Sequence, residues 1–528
     1  MRFIWIPALL VMSSHSSTSL DVSYQIGRAG LTSLQFEGYD YLADGVPRIN
    51  AVSVRSVSGK PVDVPPPAPF RTNWLTRTAT AEATWGTISL TYRGSAERLL
   101  VTVEVTNRSP HVIDALWLEL MQLRFPSRPT EYDSVTPLLS HGNGQPALVA
   151  IRHALGRFAL VSEDPAGDVL IGLPWATDRP AGTVFPVSLN TGRVPAFPDS
   201  TPTIVRPIAP GATDRFTVSL RFAGIGGPAK DLTGDVYDRF SKRNPPAPGW
   251  SDRRPIGALF LSTAAAGWPK NPRGWLQDAQ IDTTTKAGIG QLKRRVLGYA
   301  DASVAILKAT GAQGMITWDI EGQQFPHPIS YIGDPRRFFE LAPEMAEIAD
   351  EYFRRFRDAG LRTGVCIRPQ RLQLSADGSA RQEQSPDPAS VLNEKVRWVR
   401  NRWDVSLVYI DSNITAHHFQ PLDASIVRGL AQAFPDILFI PEHASLAYYG
   451  FSAPYQELRK GVTAAPSLAR LLYPTAFSVI YIADGNLERR YQQVRDGVKR
   501  GDVLLFRAWY DDPANRLVKR IYSEQTNP

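Results

Sequence analysis

The sequence predicts two architectures in succession, an N-terminal antiparallel β-sandwich and then a (β/α)8 TIM barrel. Three observations carry this. The first part of the chain alternates apolar and polar residues at the period of a half-buried strand, as in Arg98-Leu-Leu-Val-Thr-Val-Glu-Val-Thr106. The second part instead has unbroken apolar runs, such as Val405-Ser-Leu-Val-Tyr-Ile-Asp411, separated by amphipathic segments of helical length. Those runs stop at ionisable residues, which is where barrel enzymes place their chemistry.

At 528 residues the chain is too long for one compact core. Its 43% hydrophobic and 21% charged residues are ordinary for a globular protein. The formal charge of +7 is spread over 58 basic and 51 acidic residues. The basic run Lys293-Arg294-Arg295 reads as a solvated helix face, and no basic stripe points to nucleic acid. The single cysteine, Cys366, excludes an internal disulfide and sits within an apolar run.

Met1-Arg2 precedes an apolar stretch, Phe3 to Met12, and then small polar residues from Ser13 to Ser19. Residues 1–20 read as a signal peptide, which makes the protein exported, periplasmic or extracellular. The apolar stretch is too short to span a bilayer, and no membrane insertion is expected.

Residues 21–225 form the expected sandwich. Val101, Val103 and Val105 share one face of their strand, against Thr102, Glu104 and Thr106 on the other. Asp214 to Phe222 and Thr87 to Tyr92 repeat the pattern. Residues 226–254 hold a helix, Asp231 to Arg243, and the Pro-rich connection Asn244-Pro-Pro-Ala-Pro-Gly249.

Residues 255–528 form the expected barrel. Its strands are read at Ile256–Leu261, Gly314–Glu321, Leu361–Pro369, Val405–Asn413, Asp436–His443, Phe477–Asp484 and Asp502–Arg507. The sixth must lie between Ala447 and Pro474. Helices are read around Ala302–Thr310, Pro343–Ala359, Ala389–Arg402 and Ala424–Phe434. An open doubly wound sheet is the alternative, but no Gly-rich phosphate turn follows the first strand.

The strand ends supply Asp319, Glu321, Arg368, Asp411, Glu442, Asp484 and Arg507. Cleaving a glycosidic bond takes two carboxyl groups, one ionised and one protonated, and adjacent strand ends provide such a pair. Asp411 is the expected nucleophile and Glu442 the acid/base. Arg368 is expected to lie nearer Asp411 and hold it ionised, leaving the raised pKa to Glu442. A barrel-internal salt bridge is the plainer role for Arg368.

The order Gly360-Leu-Arg-Thr-Gly-Val then Val408-Tyr-Ile-Asp411 resembles retaining glycoside hydrolases of the α-galactosidase and α-glucosidase clans. The resemblance implies a sandwich before the barrel, a nucleophilic Asp411, and an acid/base from the sixth strand. The α-amylase clan takes its acids from strands four, five and seven, an order that Asp411, Glu442 and Asp484 match. That clan carries Arg two residues before its nucleophile, where this chain has Tyr409.

Trp318-Asp-Ile-Glu-Gly-Gln-Gln-Phe-Pro-His327 joins acids, amides and aromatics directly after a strand. It reads as a sugar-recognition loop or as a structural turn with Phe325 and His327 packed beneath. On strict alternation Asp319 and Glu321 point the same way. Trp318, Asp319, Glu321, Arg368, His443, Asp484, Arg507 and Trp509 are the expected substrate contacts. Trp268, Trp275, Tyr448 and Tyr449 join Trp509 as aromatics of the upper loops or of the core.

His417 and His418 follow the fourth strand. Adjacent histidines rarely face one ion, so no metal and no cofactor is expected. A carbohydrate is the expected partner, and the oligomeric state is left open. The alternative to an enzyme is a non-catalytic carbohydrate-binding protein on a degenerate barrel.

Overall fold

The structure is a computed structural model. It describes residues 22–73, 75–129, 131–132, 139–141, 144–164, 169–192, 206–247, 249–262, 268–322, 331–375, 380–415 and 421–526. The expected signal peptide, Gln323 to His327 of the recognition loop, and His417 and His418 lie outside these residues. The chain divides into two compact units, Met1–Gly142 with Pro146–Val236, and Asn143–Gln145 with Tyr237–Pro528.

The first unit contains two antiparallel eight-stranded sheets and a small three-stranded one. Strand Arg98–Asn107 pairs with Gly86–Ser95 on one side and Thr213–Ala223 on the other. Its alternation settles which face is buried. Val101, Val103 and Val105 are fully buried in a core that also takes Leu116, Leu118 and Leu120 from the facing sheet. On the outer face Thr102 meets Thr217 at 3.2 Å, and Arg215 bonds Glu104 at 2.6 Å across the strands. A helix, Ala229–Arg243, follows the last strand.

The second unit is a parallel eight-stranded sheet. Its strands are β1 (Ile256–Phe260), β2 (Gly314–Trp318), β3 (Thr363–Ile367), β4 (Val405–Ile410), β5 (Leu438–Pro441), β6 (Tyr455–Glu457), β7 (Val479–Tyr481) and β8 (Val503–Arg507). Ladders run from β5 through β4, β3, β2, β1, β8 and β7 to β6. The ring is nearly closed: between β5 and β6 the join is the Ala453 amide donating to the Phe439 carbonyl at 3.0 Å. Nearly every residue of β2, β3, β4 and β5 is buried, because side chains pack on both faces of the sheet.

Helix α1 (Lys286–Ala309) begins well before the stretch expected from apolar spacing. Glycines at 288, 290 and 298 disguise its first half, but Thr285 caps it and Leu292, Val296 and Ala300 bury one stripe. The expected Pro343–Ala359 helix is instead a 3-10 turn, Pro343–Met345, and then α2 (Ala349–Asp358). Helix α3 (Pro388–Trp403) starts on an Asp387 cap with proline in its first turn. Asp404 ends it in the left-handed region, and β4 follows at once. Among the described residues no helix is long and apolar enough to cross a membrane.

Candidate active site

The registers of β3, β4 and β5 bring three ionisable residues to one layer. Ile367 pairs with Ile410, and Ile410 with Pro441, so Arg368, Asp411 and Glu442 each follow the last paired residue of its strand. The Asp411 amide still donates to the Ile367 carbonyl (2.8 Å), and the Glu442 amide to the Ile410 carbonyl (3.0 Å). The apolar runs therefore fix the polar residues that end them.

Arg368 Nε donates directly to Asp411 Oδ2, and both side chains are largely buried. Glu442 is less covered, at 31% exposure. Its Oε2 accepts the Ser412 amide at 2.8 Å and lies 3.5 Å from His443 Nε2. Asn413, fully buried, locks the two loops together: its Nδ2 donates to the His443 carbonyl (3.0 Å) and its Oδ1 accepts the His443 amide (2.8 Å).

Asp411 and Glu442 share a hydrogen bond, and the Asp411 carboxyl is pushed up to about 7. Burial is the largest cause; Arg368 opposes it, and the hydrogen bond and charge of Glu442 add to it. The sequence-based expectation had Arg368 keep Asp411 ionised. The ion pair is present, but desolvation outweighs it. The raised proton affinity thus falls on Asp411, the expected nucleophile. Burial lowers the His443 imidazole, so it contacts Glu442 as a neutral ring near neutral pH.

The expected aromatic contacts fill the barrel. Trp318 is buried at the end of β2, stacked on Phe260 (5.0 Å between centroids) and tilted against Tyr409 (5.1 Å). Tyr409 in turn meets Tyr455 edge-on at 5.2 Å. Trp509 is half-buried, edge-on to Phe260 at 5.1 Å, with the Arg507 guanidinium 5.7 Å from its centroid. Trp275 and Tyr448 are core residues: the Trp275 indole donates to Glu344 at 2.7 Å, and the Tyr448 hydroxyl to the Leu422 carbonyl at 2.5 Å.

Strict alternation does not continue past Trp318. Asp319 has φ +63°, and the Gly322 amide donates to its carbonyl at 2.9 Å, so 319–322 is a tight turn. Asp319 and Glu321 are both buried within it. Glu321 Oε1 has no hydrogen-bond partner among the described residues. Burial raises its carboxyl to about 7, the Asp334 charge adds to this, and Lys395 opposes it.

Asp484 and Arg507 pair with each other. Arg507 Nη2 reaches both carboxylate oxygens of Asp484, at 2.8 and 2.7 Å, while Nη1 meets the Tyr510 hydroxyl at 3.2 Å. They link the ends of β7 and β8, with Asp484 more than half exposed.

Sequence reasoning missed several residues. Glu457 ends β6, where the resemblance places an acid/base. It accepts from Tyr455 (3.1 Å), Arg459 (2.9 and 3.1 Å) and Lys460 (3.0 Å). Burial would raise its carboxyl, but the two cations prevail and hold it below the ordinary range. Lys395, Gln370 and Asn413 were also missed. Lys395 left a signal: it breaks the apolar stripe Val391, Val399 and Trp403 of α3, four residues from each valine. No group of three His, Cys, Asp or Glu residues among the described residues is arranged to hold a metal ion.

No known protein-family description matches the chain, and no curated protein matches its sequence. Solved structures do. The alpha-N-acetylgalactosaminidase NagBb of Bifidobacterium bifidum, in complex with GalNAc, matches 96% of this chain and 91% of its own, with 10% identity and a TM-score of 0.50. The alpha-galactosidase of Lactobacillus brevis matches 99% of this chain and 79% of its own, with 12% identity and a TM-score of 0.43. TtGalA, an alpha-galactosidase of Thermus thermophilus in complex with stachyose, matches 82% and 97%, with 8% identity and a TM-score of 0.37. The likeness is one of fold: this chain shares the sandwich-and-barrel architecture of glycoside hydrolases.

Proposed function

We propose that this protein is a glycoside hydrolase that cleaves an oligosaccharide or glycoside with retention of configuration. The observation that carries the reading is the Arg368–Asp411–Glu442 arrangement on three successive strand ends, two carboxyl groups beside a fixed cation. In the first step the Asp411 carboxylate attacks the anomeric carbon. The glycosidic C–O bond breaks, and the departing oxygen takes the proton from Glu442. In the second step Glu442 accepts a proton from water, whose oxygen displaces Asp411 from the glycosyl ester. Arg368 favours the Asp411 anion that leaves in that step. The attack needs Asp411 ionised, so the entering glycoside must offset the burial that raises that carboxyl in the sugar-free protein. Export through the N-terminal segment belongs to the same reading, and N-terminal sequencing of secreted protein checks it.

The experiment is a panel of aryl glycosides and oligosaccharides, read by reducing-end release and compared with Asp411→Asn. Turnover by the native chain that Asp411→Asn abolishes is the expected result. No cleavage anywhere on the panel overturns the reading. The raised carboxyl of Asp411, a poor starting point for a nucleophile, favours a second reading, a carbohydrate-binding protein without turnover. Glycan-array affinity with no product from any bound sugar is its signature.

A further inference from the structure

Lys395 is fully buried on α3, and its Nζ is held by three backbone carbonyls and the Asp334 carboxylate. It donates to the carbonyls of Gly333 (3.0 Å), Arg368 (2.8 Å) and Gln370 (2.9 Å), with Asp334 at 3.6 Å. A buried ammonium is costly unless all its protons are used, and here three acceptors use them. All three converge on the exit of β3. The Gly333 carbonyl also accepts the Arg368 amide at 2.9 Å, so both backbone polar groups of Arg368 are tied into the same knot. Gly333 sits at φ +62°, and a Cβ there would lie 2.8 Å from the Arg368 nitrogen, so the close approach requires glycine.

Two side chains leave this knot for the end of β4. Arg368 reaches Asp411. Gln370 Nε2 donates to the Ser412 carbonyl at 2.9 Å. Ser412 in turn gives its amide to Glu442. We infer that Lys395 is a positioning residue for the carboxyl pair, fixing Arg368 and Gln370 so that both grip the end of β4. This rests on the proposed hydrolase reading for its kinetic consequence, but the geometry can be tested without turnover.

Asp411 is faced by Arg368 and Cys366 from β3, Glu442 and His443 after β5, Tyr409 on its own strand, and Tyr331. If Lys395 stops fixing Arg368, the cation paired with Asp411 loosens. Lys395→Met removes the three donors and a charge; Gln370→Leu removes one grip and no charge. The first readout is infrared titration of the Asp411 carboxyl in the sugar-free protein, its band identified by loss in Asp411→Asn. Lys395→Met is expected to raise the midpoint by about one pH unit, the low end of what a neighbouring cation contributes. Gln370→Leu is expected to shift it in the same direction by less. The second readout is kinetic: kcat of Lys395→Met falls on the order of 100-fold, as loss of placement alone can do, while KM stays within about threefold. An unmoved midpoint in both variants overturns the inference. If Lys395→Met does not fold, an unmoved midpoint in Gln370→Leu is sufficient to overturn it. A native chain that cleaves no glycoside removes the hydrolase reading alone, and the midpoint shift still judges Lys395.

Discussion

The Ser412 amide donates to Glu442 Oε2 at 2.8 Å, one residue beyond Asp411. That bond turns the Glu442 side chain back toward β4, where it also hydrogen-bonds Asp411. A backbone amide carries its proton at every pH, so this contact does not depend on titration. Arg368 donates to Asp411 from the opposite side. Each carboxyl therefore has one fixed donor.

The first consequence is a pH dependence with a definite sign. Glu442 raises Asp411 through its charge and hydrogen bond. Glu442→Gln removes the charge, so the Asp411 midpoint, about 7 in the native chain, is expected to fall. Arg368→Met removes the opposing cation, so the midpoint is expected to rise. Infrared or carbon NMR titration of the Asp411 carboxyl measures both. Equal midpoints in the two variants would show that neither neighbour acts on Asp411.

Glu321 supplies a stability test. Its folded carboxyl titrates near 7 against an ordinary value of 4.5, so the folded state binds the proton more tightly than the unfolded chain. A raised acid of this kind contributes stability below about 4.5 that is lost as pH climbs through 7. Glu321→Gln keeps the shape of the protonated acid and cannot ionise. It is expected to match the native chain at pH 4.5 and to exceed it above pH 7 by about 2–3 kcal/mol. Urea unfolding at the two pH values reads the difference directly.

The legible parts of this chain were those where one local pattern settles the outcome. Val101, Val103 and Val105 could only face a core, and the run from Val405 to Ile410 could only be a strand covered on both faces. Once β3, β4 and β5 were placed, the registers brought Arg368, Asp411 and Glu442 together without further information. Strand β6 has three residues, Tyr455-Gln-Glu457, too few for any periodicity to emerge. The turn at 319–322 was missed because a positive φ at Asp319 leaves no mark on hydrophobic spacing. The charge state of Asp411 was missed for another reason. Its neighbours can be guessed from sequence, but the burial that outweighs Arg368 depends on loops and aromatics from the whole ring.

His153 gives a second stability test, within the sandwich. It packs against Phe125 and Tyr41, with ring centroids 5.0 and 5.6 Å away. Its Nδ1 accepts the Leu155 amide at 3.3 Å, and Nε2 has no partner among the described residues. Burial lowers it from 6.5 to about 4, so the unfolded chain binds the proton more readily. Stability is therefore lost as pH falls from 6.5 to 4, by up to about 3 kcal/mol. His153→Phe removes this loss, whatever it does to absolute stability. Thermal unfolding at pH 4 and pH 7 gives the comparison, and an unchanged pH dependence in His153→Phe would assign the acid sensitivity elsewhere.

The last test asks which carboxyl is which. Glu457 ends the strand that supplies the acid/base in the resembling clans, but Arg459 and Lys460 hold it ionised, the wrong state for an acid. Glu442 stands beside Asp411 and remains partly open to solvent. If Glu442 is the acid/base, Glu442→Gln lowers turnover about 10³-fold on glycosides with poor leaving groups. It lowers turnover far less on aryl glycosides whose leaving group needs no proton. Glu457→Gln has no such dependence on the leaving group. Asp411→Asn loses both classes alike, since every substrate needs the nucleophile. Product stereochemistry by proton NMR completes the assignment. Retention requires the pair to stand roughly 5–5.5 Å apart around the bound sugar, whereas inversion requires roughly 6.5–9.5 Å and a water between. A first-formed product of inverted configuration would overturn the nucleophilic role of Asp411, and a leaving-group dependence that appears in Glu457→Gln and not in Glu442→Gln would move the acid from β5 to β6.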